Sequence, residues 1–227
     1  MAVTKTVEDA IASVKKIMPG EVVVVEYTSL APVHLAVSVP LLSLGRDVHV
    51  IVNDIFDQLH VVRSHLSIMG IDTEWMDEMP VVKFGGVLQT GKVIKRISVL
   101  KAASVWHEEY KEALREFRGQ KLVVTLGLEK LINIKKELPA SSVCRMCIAS
   151  AMGEEDTITI AFVNRDMLPE SVLEDIRELA SRVLELEFEK GKLSLRVVKS
   201  LDLRNTGAEF SVDASELVRH LNNMGKG

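Results

Sequence analysis

The side chains with chemistry to offer sit just past apolar runs. Val22–Val25 leads into Tyr27, Thr28, Ser29 and then His34. The run ending at Val52 leads into Asn53 and Asp54, and the run ending at Val163 into Asn164 and Arg165. Hydroxyls, amides, a carboxylate and a guanidinium at such points can hydrogen-bond a partner, and His34 can do so in either protonation state. Thr28, Ser29, His34, Asn53, Asp54, Asn164 and Arg165 are therefore the candidate ligand- or partner-binding residues. For Asn53 and Asp54 the plainer role, capping the helix that follows, is the stronger reading.

Phosphate chemistry asks for more. A phosphate loop of the form G-x-x-x-x-G-K-[ST] uses glycines to bring backbone N–H groups to the phosphates, a lysine to bridge them and a hydroxyl to hold Mg²⁺. The turn Tyr27-Thr-Ser-Leu-Ala-Pro-Val-His34 has neither glycine nor lysine, and Pro32 deletes one N–H. Gly86-Val-Leu-Gln-Thr-Gly91-Lys92-Val93 matches all but the last position. Val93 cannot ligate Mg²⁺, and the residues after it alternate like a strand, so this stretch reads as a glycine-rich hairpin or loop. Leu126-Gly127 stands where an acidic metal ligand would be needed. ATP hydrolysis is not expected.

Other constellations fall short. Cys144-Arg-Met-Cys147 is one CxxC without the second pair that a tetrahedral zinc requires, and it reads as two buried thiols, with a disulfide as the alternative in a heat-adapted source. His107-Glu108 is followed by Lys111 where a zinc-protease helix has histidine, and His60 and His65 are spaced off one helical face. There is no G-x-S-x-G elbow. No catalytic residue, metal or cofactor is assigned.

Composition narrows the partners. The chain has 227 residues, net charge -4 and 47% hydrophobic residues, which suit one α/β domain over 1–227 with a sizeable core. No net positive field draws nucleic acid. The basic residues Lys190, Lys192, Arg196 and Lys199 share the late hairpin with Glu185, Glu187 and Glu189, so paired surface charge accounts for them. No apolar run reaches the ~20 residues of a membrane helix, and the N-terminus lacks a signal pattern. A cytoplasmic location is expected. The few glutamines (Gln58, Gln89, Gln120) suggest a heat-adapted source.

The elements that must position these residues follow from periodicity. Val22–Val25 reads as a strand buried on both faces. Helices are expected over 4–18, with Thr6 as a capping residue, and over 31–44, with Pro40 inside and Gly45 closing it. A strand over 47–52 precedes a helix capped by Asn53-Asp54. Short strands at 80–84 and 92–97, a helix over 101–118, a buried strand at 121–126, helices at 128–137 and 141–152 and a strand at 156–163 come next. A helix through Val183, a hairpin over 184–197 with one wet face, a strand at 208–212 and a helix over 213–222 complete the chain. The alternation of strand and helix predicts a mostly parallel sheet covered on both faces.

This order resembles the RecA/KaiC-like ATPase core, in which a middle strand ends here in Gly127-Leu-Glu-Lys130. More narrowly, Glu26-Tyr-Thr-Ser29, the segment from Gly85-Gly86 to Gly91-Lys92-Val93, and Arg182-Val-Leu-Glu-Leu186 resemble an uncharacterised family of proteins from hyperthermophilic archaea. The resemblance implies a three-layer α/β fold, a P-loop NTPase type of core whose usual phosphate loop is missing, and a C-terminal β-hairpin. It implies no established activity.

The expectation is a non-catalytic binding or regulatory module that recognises a protein or peptide in the crevice at the carboxyl ends of the strands, where open α/β sheets bind ligands. The alternative is a nucleotide- or phosphate-binding protein with an unorthodox loop. Association into a homo-oligomer is compatible with either.

Overall fold

The computed structural model describes residues 7–14, 16–44, 48–136, 138–148 and 152–225. The expected caps Thr6 and Gly45, and the last turns of the helix expected to reach 152, lie outside the described residues. The strands are β1 (Val22–Tyr27), β2 (His49–Ile55), β3 (Pro80–Phe84), β4 (Lys92–Ile97), β5 (Lys121–Leu126), β6 (Thr157–Asn164), β7 (Arg182–Glu189), β8 (Lys192–Lys199) and β9 (Glu209–Asp213). The helices are α1 (Val7–Val14), α2 (Val33–Leu44), α3 (Gln58–Ile68), α4 (Ala103–Arg115), α5 (Leu128–Ile134), α6 (Ala140–Cys147), α7 (Glu170–Leu179) and α8 (Ala214–Gly225).

The strands form one sheet in the order β4-β3-β2-β5-β6-β1-β7-β8-β9. Every pairing from β4 to β7 is parallel, and β7–β8 and β8–β9 are antiparallel. The β-branched run of β1 lies between β6 and β7 and is buried on both faces, as its composition requires. Val23 and Val25 face a core completed by α2, α3 and α8, with Ile11 and Val14 of α1 against it. Val22 and Val24 face the opposite core, built with α4, α5, α6 and α7. Each buried valine contributes about 1.5–3 kcal/mol relative to exposure. The result is three layers, a mostly parallel sheet between two helical layers, with the β7–β8 hairpin that the alternating Leu/Glu pattern predicts. No described helix is long and apolar enough to cross a membrane.

Two expectations that bear on the site change, and beyond them the helix expected to run through Val183 ends at Leu179, with Val183 inside β7. The strand expected to stop at Val52 runs on to Ile55, and α3 begins only at Gln58. Asn53 and Asp54 therefore stand within the sheet, paired with Val82 and Lys83 of β3 and Thr125 and Leu126 of β5. The turn out of β2 is made by Phe56 and Asp57, both with positive φ (52° and 65°). The Asn53 amide N–H groups and the Asp54 carboxylate find partners on β3, β5, α3 and α4, so these polar residues do not end the strand, although Asn53 Oδ1 is left buried without a partner; those pairings are a tertiary fact. Second, β3 and β4 run parallel, so the glycine-rich stretch 85–91 is a crossover and not a hairpin turn.

Two buried carboxylates on β1's own segment are paired. Glu26 accepts a bidentate pair from Arg177 of α7, Nε to Oε1 and Nη2 to Oε2, each 2.7 Å. Glu21 accepts Nε and Nη2 of Arg182 at 3.1 Å each. Both pairs bolt the carboxyl-terminal half of the chain to the first strand.

Candidate functional site

The carboxyl ends of β1, β5 and β6 open onto a crevice of about 410 Å³ between the first turns of α2 and α3. Its floor is Tyr27, Leu126, Gly127 and Phe162, and its walls carry Ser29, His34, Gln58, His65 and Asn164. Gly127 is required there. Its φ is +85°, and a Cβ would come within 2.7 Å of the Ile55 carbonyl oxygen and 2.8 Å of Gln58 Cγ.

The seven candidate residues divide. Ser29, His34 and Asn164 line the crevice. The Asn164 amide donates to Ser29 Oγ at 3.0 Å, and its carbonyl oxygen accepts the Asp166 N–H at 3.1 Å. Thr28 lies in the same turn, where its carbonyl accepts the Ala31 N–H at 3.0 Å. Arg165 follows Asn164 but sits 3.9 Å from Glu185 and 3.7 Å from Glu187 of β7. Asn53 and Asp54 are 1% and 0% exposed and do not reach the rim. The Asn53 amide donates to Tyr110 Oη at 2.8 Å and Thr125 Oγ1 at 3.0 Å. Asp54 accepts the Leu59 N–H at 2.9 Å, so it does help to start α3, from a strand position five residues back.

Four backbone N–H groups of the turn after β1 are already engaged within the protein. The Ser29 N–H donates to the Asp166 carboxylate at 2.8 Å. The N–H groups of Ala31, Val33 and Leu35 donate to the carbonyls of Thr28, Ala31 and Pro32. Pro32 has none to give.

His34 is half-buried, and burial followed by the nearby His65 imidazole pushes its pKa down to about 4, so it is neutral near pH 7. The Tyr27 hydroxyl is pushed well above its ordinary range by burial and then by the Glu129 carboxylate. Glu129 is itself raised, chiefly by burial. The crevice is thus a largely neutral, aromatic- and aliphatic-floored slot with hydrogen-bonding walls.

A second polar feature lies one strand further. Lys83, buried at the end of β3, donates to Asp54 at 2.7 Å and pairs with Asp57 at 2.5 Å. Burial works against the Asp57 charge, but the Lys83 ammonium and the N–H groups of Val87 and Leu88 outweigh it and hold its pKa low. Sequence reasoning missed Lys83, His65 and Gln58. A lone lysine inside the apolar run 80–84 was the available signal for the first; the others depend on where α3 starts.

Residues 12–211 match the model of a family described as Pyrococcus protein of unknown function, DUF257. The chain belongs to that family. No curated protein matches the sequence. Among solved structures, a DUF257 chain such as this is similar to a Pyrococcus horikoshii OT3 protein at TM-score 0.74 and 25% identity, covering 86% of this chain and 94% of that one. It is similar to the ATPase domain of G40P at TM-score 0.60 and 12% identity, covering 94% and 90%. It is also similar to an uncharacterised Pyrococcus horikoshii protein in complex with an unknown peptide, at TM-score 0.55 and 13% identity, covering 85% and 89%. The fold of this DUF257 member is that of RecA-like ATPase domains, as the element order predicts.

Proposed function

We propose that the chain acts as a non-catalytic binding module of RecA-like fold, one domain over 1–227, that seats a peptide or an extended protein segment in the crevice after β1. The supporting observation is the use of the turn's own donors: the N–H groups of Ser29, Ala31, Val33 and Leu35 are bonded within the protein, and one of them already holds a carboxylate. A phosphate cradle needs such groups free. The apolar floor suits side chains of a peptide, while Ser29, His34 and Asn164 offer hydrogen bonds to its backbone. Leu30, 90% exposed, and Val61, 41% exposed, give the rim an apolar lip. A protein of similar fold was crystallised in complex with an unknown peptide, which supports this use of the scaffold.

The experiment has two arms. Peptides selected by display against the whole chain are mapped by hydrogen exchange; protection should fall on residues 28–34 and 164–165, and Thr28→Ala with His34→Ala should weaken binding without lowering the unfolding temperature appreciably. In parallel, a nucleotide panel with Mg²⁺ is screened by thermal shift, where a ligand at 100 times its Kd adds about 2.7 kcal/mol. Stabilisation by a nucleotide alone, or peptide protection on the 182–199 hairpin with 28–34 unchanged, would overturn the reading.

A further inference from the structure

At the mouth of the crevice two histidines and a methionine converge from two helices. His34 lies in the first turn of α2. His65 lies in the last turn of α3, and Met69 caps that helix, one turn beyond His65. The His34 and His65 rings meet edge to face with centroids 5.1 Å apart. His34 Nε2 is 3.1 Å from Met69 Sδ. Among the described residues no three His, Cys, Asp or Glu side chains gather as a metal site, so a thioether is the third donor here.

We propose that His34, His65 and Met69 form a binding site for a soft monovalent ion, copper(I). Imidazole with thioether is the donor pair that selects copper(I), and it disfavours the hard cations that want carboxylates. No carboxylate stands among the three donors, which suits an ion of single charge. Bonds of about 2.0 Å to nitrogen and 2.3 Å to sulfur place the two donors roughly 3.7 Å apart at a trigonal angle. From 3.1 Å, the His34–Met69 pair must therefore open by about 0.6 Å. Met69 can allow it: its side chain is unbranched and flexible, and 42% exposed. His34 and His65 also line the crevice, but Met69 does not, so Met69→Leu tests this site apart from peptide binding.

The test uses the whole chain. The protein is titrated with copper(I) in ascorbate against a colorimetric copper(I) chelator, and with silver(I) as a redox-inert substitute while the methionine methyl resonances are followed by NMR. One equivalent of copper(I) should be withdrawn from the chelator, and one methionine methyl, lost in Met69→Leu, should shift with silver(I). Partners outside a metal's own ligands are worth roughly 10–100-fold in affinity, so Met69→Leu should cost about 100-fold. His65→Ala should cost as much, and Met69→Leu should leave peptide capture unchanged. Failure to compete with the chelator would overturn the proposal. So would Met69→Leu binding copper(I) as well as the parent protein, or one equivalent of zinc(II) bound in preference to copper(I).

Discussion

Lys83 Nζ lies 2.7 Å from Asp54 Oδ2, and both side chains are only 1% exposed. A neighbouring carboxylate, Asp57, completes the triad at 2.5 Å. The cluster ties β2 to β3 at the sheet edge that bears the crevice, and it holds the turn that starts α3.

Removing only the cation should therefore be costly. Lys83→Met leaves Asp54 as an uncompensated buried charge, and the expected loss is about 3–5 kcal/mol. Lys83→Met with Asp54→Leu should be less destabilised than Lys83→Met alone. Urea unfolding of the single and double variants measures the difference; equal losses would contradict the pairing.

The loop after β3 leans on that same turn. Gly86 has φ +74°, and a Cβ there would fall 2.3 Å from Asp57 Oδ1. Gly119 has φ +88° with nothing within 4 Å. Gly119→Ala should cost the left-handed conformation alone, about 1–2 kcal/mol. Gly86→Ala adds the clash and should cost roughly 1–3 kcal/mol more. Thermal unfolding of both variants separates the two contributions.

His34 predicts a pH dependence. Its folded pKa, about 4, lies below the ordinary value of 6.5. The unfolded chain therefore binds more protons between those values, and stability is complete above about 6.5 and falls as pH drops towards 4. Because the ring is only half-buried, screening limits the effect to about 1 kcal/mol. The His34 ring protons should not titrate above pH 5 by NMR, and His34→Gln should lose less stability than the parent between pH 7 and pH 4.

Cys144 and Cys147 are free thiols, 0% and 3% exposed. Burial and the Asp175 carboxylate push the Cys144 thiol up to about 12, and burial with Cys144 pushes Cys147 up as well. Neither should react with a thiol reagent at pH 8 in the native protein, and both should react once it is unfolded. Serine at either position should cost about 1–3 kcal/mol by burying a hydroxyl, and should leave peptide capture unchanged.

Much was decided in one dimension. The valine run 22–25, β-branched and bounded by Gly20 and Pro32, read as a strand buried on both faces, and the alternation of Leu184, Leu186 and Phe188 with glutamates marked a strand with one wet face. The order of strands and helices then limited the fold to a covered, mostly parallel sheet, and placed Ser29, His34 and Asn164 at one edge of it. Periodicity reads burial, and burial is what these residues report. It could not read pairing. Asn53 and Asp54 look like a helix cap until Tyr110, Thr125 and Lys83, distant in sequence, supply partners that let them stay inside the sheet. His65 and Met69 join His34 only because α2 and α3 pack side by side, and the Ser29 N–H is taken up because Asp166, after β6, reaches across to it. Hydrogen bonds and donor sets between distant residues are set by the sheet order, and only the folded chain contains them.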